Sequence, residues 1–134
     1  MYSKVFIVDS FSMDTMDNEC TVYRTVDFIS KKWSIVILLE MYRGNKKSKR
    51  YSEIKDSLRD ITPKVLSARL KELEREGLIL KRVDASVFPV KCEYSLTKSG
   101  MDFIGVIQNI KQWALRWKPH QKACEMAQCR NCEL

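Results

Sequence analysis

Absences narrow this sequence first. Its 134 residues include one histidine, four glycines and three prolines. The lone His120 has no serine, cysteine and acid spaced around it in a way that marks a nucleophilic site. Neither G-x-x-x-x-G-K-[ST] nor G-x-G-x-x-G occurs, so no glycine loop is available to cradle a nucleotide. No apolar run reaches the ~18 residues of a membrane span. Residues 1–19 carry one early lysine, a short apolar run and several acids, which is not a signal-peptide pattern, so a cytoplasmic chain without a membrane role is expected. There is no Gly/Ser linker and no internal repeat. The Cys129-Arg130-Asn131-Cys132 pair is a C-x-x-C, but it follows no βαβ pattern, which leaves a thiol redox enzyme as the weakest reading. The chain is not expected to be an enzyme. At this length it forms one domain whose core needs no metal or disulfide to hold it.

What is present is positive charge in one place. The formal net charge is +7, and residues 43–82 alone hold 13 basic and 6 acidic side chains. A localised basic surplus is the footprint of a polyanion-binding face. Inside that segment lies ITPKVLSARLKELEREGLI, residues 61–79. Thr62 suits the cap of a helix, Pro63 its first position and Gly77 its left-handed stop. Leu66, Leu70 and Leu73 fall on one face, and Lys64, Ser67, Ala68, Lys71 and Arg75 on the other. Lys71 and Arg75 are like charges at i, i+4, which costs an isolated helix ~0.2–0.5 kcal/mol and asks what that face meets.

Around this helix the periods are readable. TVYRTVDFIS (21–30) is a short amphipathic helix through Val22, Val26 and Ile29. WSIVILLEMY (33–42) is apolar nearly all round, as a helix buried on most sides would be. RGNKKSKR (43–50) reads as a basic loop. YSEIKDSL (51–58) reads as a short helix capped by Ser52, and RDI (59–61) as a tight connection. LILKRVD (78–84) and VKCEYSLT (90–97) alternate as two strands around a tip at 85–89. Thr97 caps a long helix to about Lys118, with a seam of Phe103, Ile107, Ile110, Ala114 and Trp117 supplemented by Trp113. The resulting fold class is α+β, mainly helical: a winged helix-turn-helix with a two-stranded wing and a long C-terminal dimerisation helix. An arm (1–19) precedes it and a Cys-rich tail (119–134) follows.

A short helix, a tight turn and a basic-faced helix place that second helix to enter a major groove, with the wing beside it. Ser52, Thr62, Lys64, Ser67, Ala68 and Lys71 are then candidates near base edges or the backbone. Arg75, Lys91, Lys46, Lys47, Lys49 and Arg50 are candidates for phosphates. The RNA-binding or architectural alternative is the nearer rival, but A-form RNA hides its major groove from a helix.

These segments resemble the HxlR-type winged helix-turn-helix transcriptional regulators, relatives of the MarR group. The carrying residues are Cys20, Lys32-Trp33, Arg50 to Ile54, Ile61 to Leu66, Leu70 to Ile79 and Glu93 to Thr97. The resemblance implies a homodimer whose terminal helices pair, a pseudo-palindromic double-stranded operator and an effector of unspecified chemistry. It also implies a wing with an arginine where this chain has Lys91 and a second proline where it has Val90. Some such regulators resemble redox sensors through a cysteine at the position of Cys20. Cys20 precedes a helix start, and Lys31 or Lys32 could help make it nucleophilic. Cys92 reads as a small core residue. In the tail, His120, Cys124, Cys129 and Cys132 supply the four ligands of a zinc site, so zinc is a candidate there although no cofactor is required.

Overall fold

The computed structural model describes residues 20–119 and 122–131. The chain divides into two compact units after Lys31. In the first, α1 (Thr21–Ile29) is capped by Cys20, whose Sγ accepts a hydrogen bond from the Tyr23 N–H at 3.4 Å. Its Val22 and Val26 form the stripe expected from their spacing, and both are exposed.

The second unit holds the core. Helix α2 (Ser34–Tyr42) buries Ile37, Leu38 and Met41, and its start turns on Trp33 at φ 87°. Strand β1 (Ser48–Arg50) follows and leads directly into α3 (Tyr51–Ser57). A tight turn, closed by the Ile61 N–H on the Leu58 carbonyl, enters α4 (Pro63–Arg75). Strands β2 (Ile79–Asp84) and β3 (Lys91–Leu96) form the wing, and α5 (Lys98–Trp117) closes the unit. Helix α6 (Lys122–Met126) and a single 3-10 turn (Cys129–Asn131) belong to the tail.

Helix α4 forms where its sequence says it should. Thr62 Oγ1 accepts from the Val65 N–H at 3.2 Å, Pro63 opens the first turn, and Gly77 takes φ 84° beyond the last. Leu66, Leu70 and Leu73 are completely covered, and burying each contributes about 1.5–3 kcal/mol. That inward anchoring leaves the opposite face to solvent.

Two expectations need correction. The sheet has three strands, in the order β1-β3-β2, because the end of the basic loop pairs with β3 from Ser48↔Ser95 to Arg50↔Glu93. The wing proper pairs Ile79↔Leu96 through Asp84↔Lys91. Ser52 is not the cap of α3: Arg50 is, and Glu53 three residues on accepts its N–H at 3.1 Å. The bonding favours a carboxylate reaching back over a serine already inside the first turn.

Helix α5 joins the rest through a close joint. The Thr97 hydroxyl accepts from the Gly100 N–H at 3.1 Å and donates to the Gly77 carbonyl at 2.6 Å. A Cβ at Gly100 would sit 2.1 Å from the Leu78 carbonyl oxygen, so only glycine permits this approach.

Candidate nucleic-acid interface

The outer face of α4 presents Lys64, Ser67, Ala68, Lys71 and Arg75, all exposed, with Thr62 exposed at its start. The charge on this face is partly neutralised from within. Arg75 reaches Glu72 at 3.5 Å and Glu76 at 3.7 Å, while Arg69 holds the other side of Glu72 at 3.2 Å. The Lys71–Arg75 repulsion is thus relieved by neighbouring acids on the same helix, which answers part of the question its spacing raised. Arg75 remains 71% exposed and keeps an open approach for an anion.

Tyr51, which residue type alone does not single out, ties α4 to the helix before it. Its hydroxyl donates to the Pro63 carbonyl at 3.2 Å and accepts from the Ser67 hydroxyl at 3.4 Å. An aromatic with a polar tip at a helix start is the signal that could have identified it.

The basic loop splits by role. Lys47 and Arg50 are exposed. Lys46 donates to Glu53 at 2.6 Å, and that bond, followed by the Arg50 N–H, holds the Glu53 carboxyl below its ordinary pKa. Lys49 is a correction: its side chain is 12% exposed and turned inward, donating to the Glu40 carbonyl at 2.6 Å and to Oε2 at 3.0 Å. Glu40 is itself buried on α2, and a buried carboxylate demands a cation. Strand pairing of Ser48 and Arg50 with β3 turns the residue between them toward that carboxylate. Lys91 is exposed on the wing and Ser52 is exposed on α3.

The seam on α5 divides along its length. Ile107 is buried within its own unit, together with Ile104, which corrects its placement at a dimer surface; Phe103 and Ala114 are half-buried. The early part of α5 lies along α2, and the apolar ridge there is consumed by the core. Farther along, Ile110, Trp113 and Trp117 are exposed, as is Val106.

The tail cysteines Cys124 and Cys129 are half-buried free thiols, as are Cys20 and Cys92. His120 and Cys132 lie outside the described residues. Among the described residues no three metal-ligating side chains come together. What fastens the tail is a pair of reciprocal bonds: the Gly44 N–H donates to the Arg130 carbonyl at 2.7 Å, and Arg130 Nη1 donates to the Gly44 carbonyl at 3.2 Å. The Arg130 guanidinium also lies 4.4 Å from the Tyr42 ring centre, and Lys111 donates to the Ala127 carbonyl at 2.6 Å. Cys20 caps α1, whereas Lys31 follows the far end of that helix, ~14 Å away along its axis.

The HxlR-like helix-turn-helix family model matches residues 28–122, the segment that contains the turn, α4, the wing and α5. The chain belongs to the HxlR-like helix-turn-helix family. Like its relatives, it is a transcriptional regulator of the helix-turn-helix, MarR-related type. It is 39% identical over 94 residues to the HTH-type transcriptional regulator YvaP of Bacillus subtilis (strain 168), covering 70% of this chain and 83% of that one. A MarR-family transcriptional regulator from Porphyromonas gingivalis W83 superposes with a TM-score of 0.64 at 30% identity, covering 74% of this chain and 93% of that one. The reduced form of the transcriptional regulator YodB from B. subtilis gives 0.64 at 29% identity, over 73% and 93%. The redox regulator HypR in its oxidized form gives 0.63 at 30% identity, over 75% and 100%. Within the HxlR-like fold, none of these similarities involves an enzyme. Among the described residues no helix is long and apolar enough to cross a membrane.

Proposed function

We propose that this regulator binds double-stranded DNA in a sequence-specific way as a homodimer, and that Cys20 makes it responsive to oxidants or electrophiles. The observation that carries the DNA reading is the exposed face of α4, held at a fixed angle by Tyr51 and by three fully buried leucines. Its first residues, Lys64 and Ser67, are those that a helix entering a major groove brings to base edges. Lys71 and Arg75 follow toward the backbone. Lys46, Lys47, Arg50 and Lys91 supply phosphate contacts, which position the protein without reading sequence.

Pairing of two copies through α5 is supported by its exposed run of Val106, Ile110, Trp113 and Trp117, an apolar surface that water would otherwise cover. The sensing reading is supported by Cys20 at the start of α1 and by similarity to a regulator described as reduced or oxidised. Zinc in the tail stays a separate proposal, with Cys124 and Cys129 as two of its ligands.

Selection of bound duplexes from a random DNA pool tests the central reading. A recovered consensus bound at nanomolar concentration, with far weaker binding to duplex RNA of the same sequence, is the expected outcome. Equal affinity for both duplexes, or no consensus, overturns it.

A further inference from the structure

The wing tip carries an aromatic side chain that the core does not use. Phe88 is 98% exposed, with Val87 and Val90 exposed on either side and Val83 exposed lower on the hairpin. One exposed apolar residue is ordinary, but a cluster on one projecting tip marks a surface meant for a partner. The tip is firmly mounted. Asp84 accepts hydrogen bonds from both the N–H and the hydroxyl of Ser86, and Pro89 fixes φ directly after Phe88.

Charge around the tip identifies the partner. Lys91 on β3 lies next to it opposite Asp84, Arg82 on β2 lies two pairs lower opposite Glu93, and Lys81 lies lower still, 6.0 Å from the Tyr94 ring centre. The tip is also continuous with the reading face. Phe88 and Lys91 line a cleft of 390 Å³ with Arg50, Tyr51 and Ser52, and Tyr51 bonds directly to Pro63 and Ser67 of α4. A ring with cations beside it, on one surface with a DNA-reading helix, suits a polyanion with apolar stacked faces. A protein partner would use the ring but has no need of the surrounding cations.

We propose that Phe88 is a wedge that enters the minor groove next to the segment read by α4, partly unstacks one base step and bends the duplex. This rests on the DNA-binding reading above. The minor groove is ~6 Å wide, enough for one ring at a hairpin tip, while the flanking cations meet the phosphates of its walls. Apolar side chains used in this way bend DNA by roughly 20–90° toward the major groove. The wedge also creates specificity without a hydrogen bond to a base. Pyrimidine–purine steps unstack most easily, so the position beneath Phe88 selects TA or CA/TG.

The test uses full-length protein on a duplex recovered by the selection above. Bend angles come from circular-permutation electrophoresis, and unstacking from 2-aminopurine placed at successive steps. The wild type bends the duplex and raises 2-aminopurine fluorescence at one step. Phe88→Ala loses most of the bend and the fluorescence rise and binds about tenfold more weakly, whereas Phe88→Leu keeps most of both. The ring touches no core residue, so circular dichroism of both variants matches the wild type. Equal bending by the wild type and Phe88→Ala overturns the wedge. So does a Phe88→Ala protein that loses self-association but bends DNA normally, which assigns the tip to a second copy. A wild type that binds no duplex refutes the DNA reading itself, a result distinct from either.

Discussion

Lys47 and Lys49 are two residues apart and take different roles, Lys47 just before β1 and Lys49 within it. Lys49 neutralises buried Glu40, while Lys47 reaches solvent. Lys49→Ala takes the ammonium from buried Glu40, which keeps Arg43 at 3.5 Å, and should cost about 3 kcal/mol of stability, seen as a lower melting temperature. Lys47→Ala should leave the melt unchanged and lower the slope of log affinity against log salt by about one. A reversal of the two results would exchange their roles. Lys91→Ala should act like Lys47→Ala and weaken all sequences alike. Sequence alone assigned all the loop lysines to one class, because a lysine's direction is set by strand pairing with residues ~45 positions away. At Cys20 the serine variant is unusually clean. Serine is also a preferred cap, so Cys20→Ser removes the thiol and keeps the hydrogen bond to α1. DNA affinity of the wild type should change with mild oxidant or a quinone, and that of Cys20→Ser should not; an unchanged response in the variant would move the sensor elsewhere.

Among elements, α4 and α5 were legible almost to the residue. Each has a threonine cap, a strong apolar period and a firm stop, all local signals. Strand β1 was not legible. Ser48-Lys49-Arg50 has no apolar alternation, and only its pairing with β3 makes it a strand. The seam on α5 was legible as a stripe, but which part faces its own core depends on where α2 lies. Ile110, 48% exposed, is on the outward part. Ile110→Glu should therefore preserve the fold, yield monomers by light scattering and weaken operator binding at least tenfold, because it would place two unpaired carboxylates in the joined surface. A variant that stays dimeric would place the contact on another element.

At the scale of the whole molecule, the tail is tied by a distant contact to the end of α2. The segment has little apolar content of its own to pack. Two carbonyls, a guanidinium and the Tyr42 ring, drawn from positions 86 residues apart, provide an attachment. Arg130→Ala should release residues 122–131, read as faster amide exchange there, whether or not metal is present. Retained protection in that variant, lost on adding a chelator, would restore ligation as the cause. A two-fold molecule should in turn read a pseudo-palindrome with half-sites about 10 bp apart or a multiple of that.

In such a dimer the joint at Thr97 and Gly100 would set the accuracy of that spacing. If two copies meet along the outer part of α5, each reading head hangs from an arm of about 30 Å. Pivoting such an arm by about 10° moves its head by roughly 5 Å, which is one and a half base-pair steps of ~3.4 Å. The hinge must therefore be stiffer than the DNA it gauges, and a hydroxyl bonded at both ends against a bare glycine backbone makes it so. Gly100→Ala would wedge the hinge open against the Leu78 carbonyl. Its expected mark is a shift of one or two base pairs in the preferred gap between half-sites, a caliper set to a different opening.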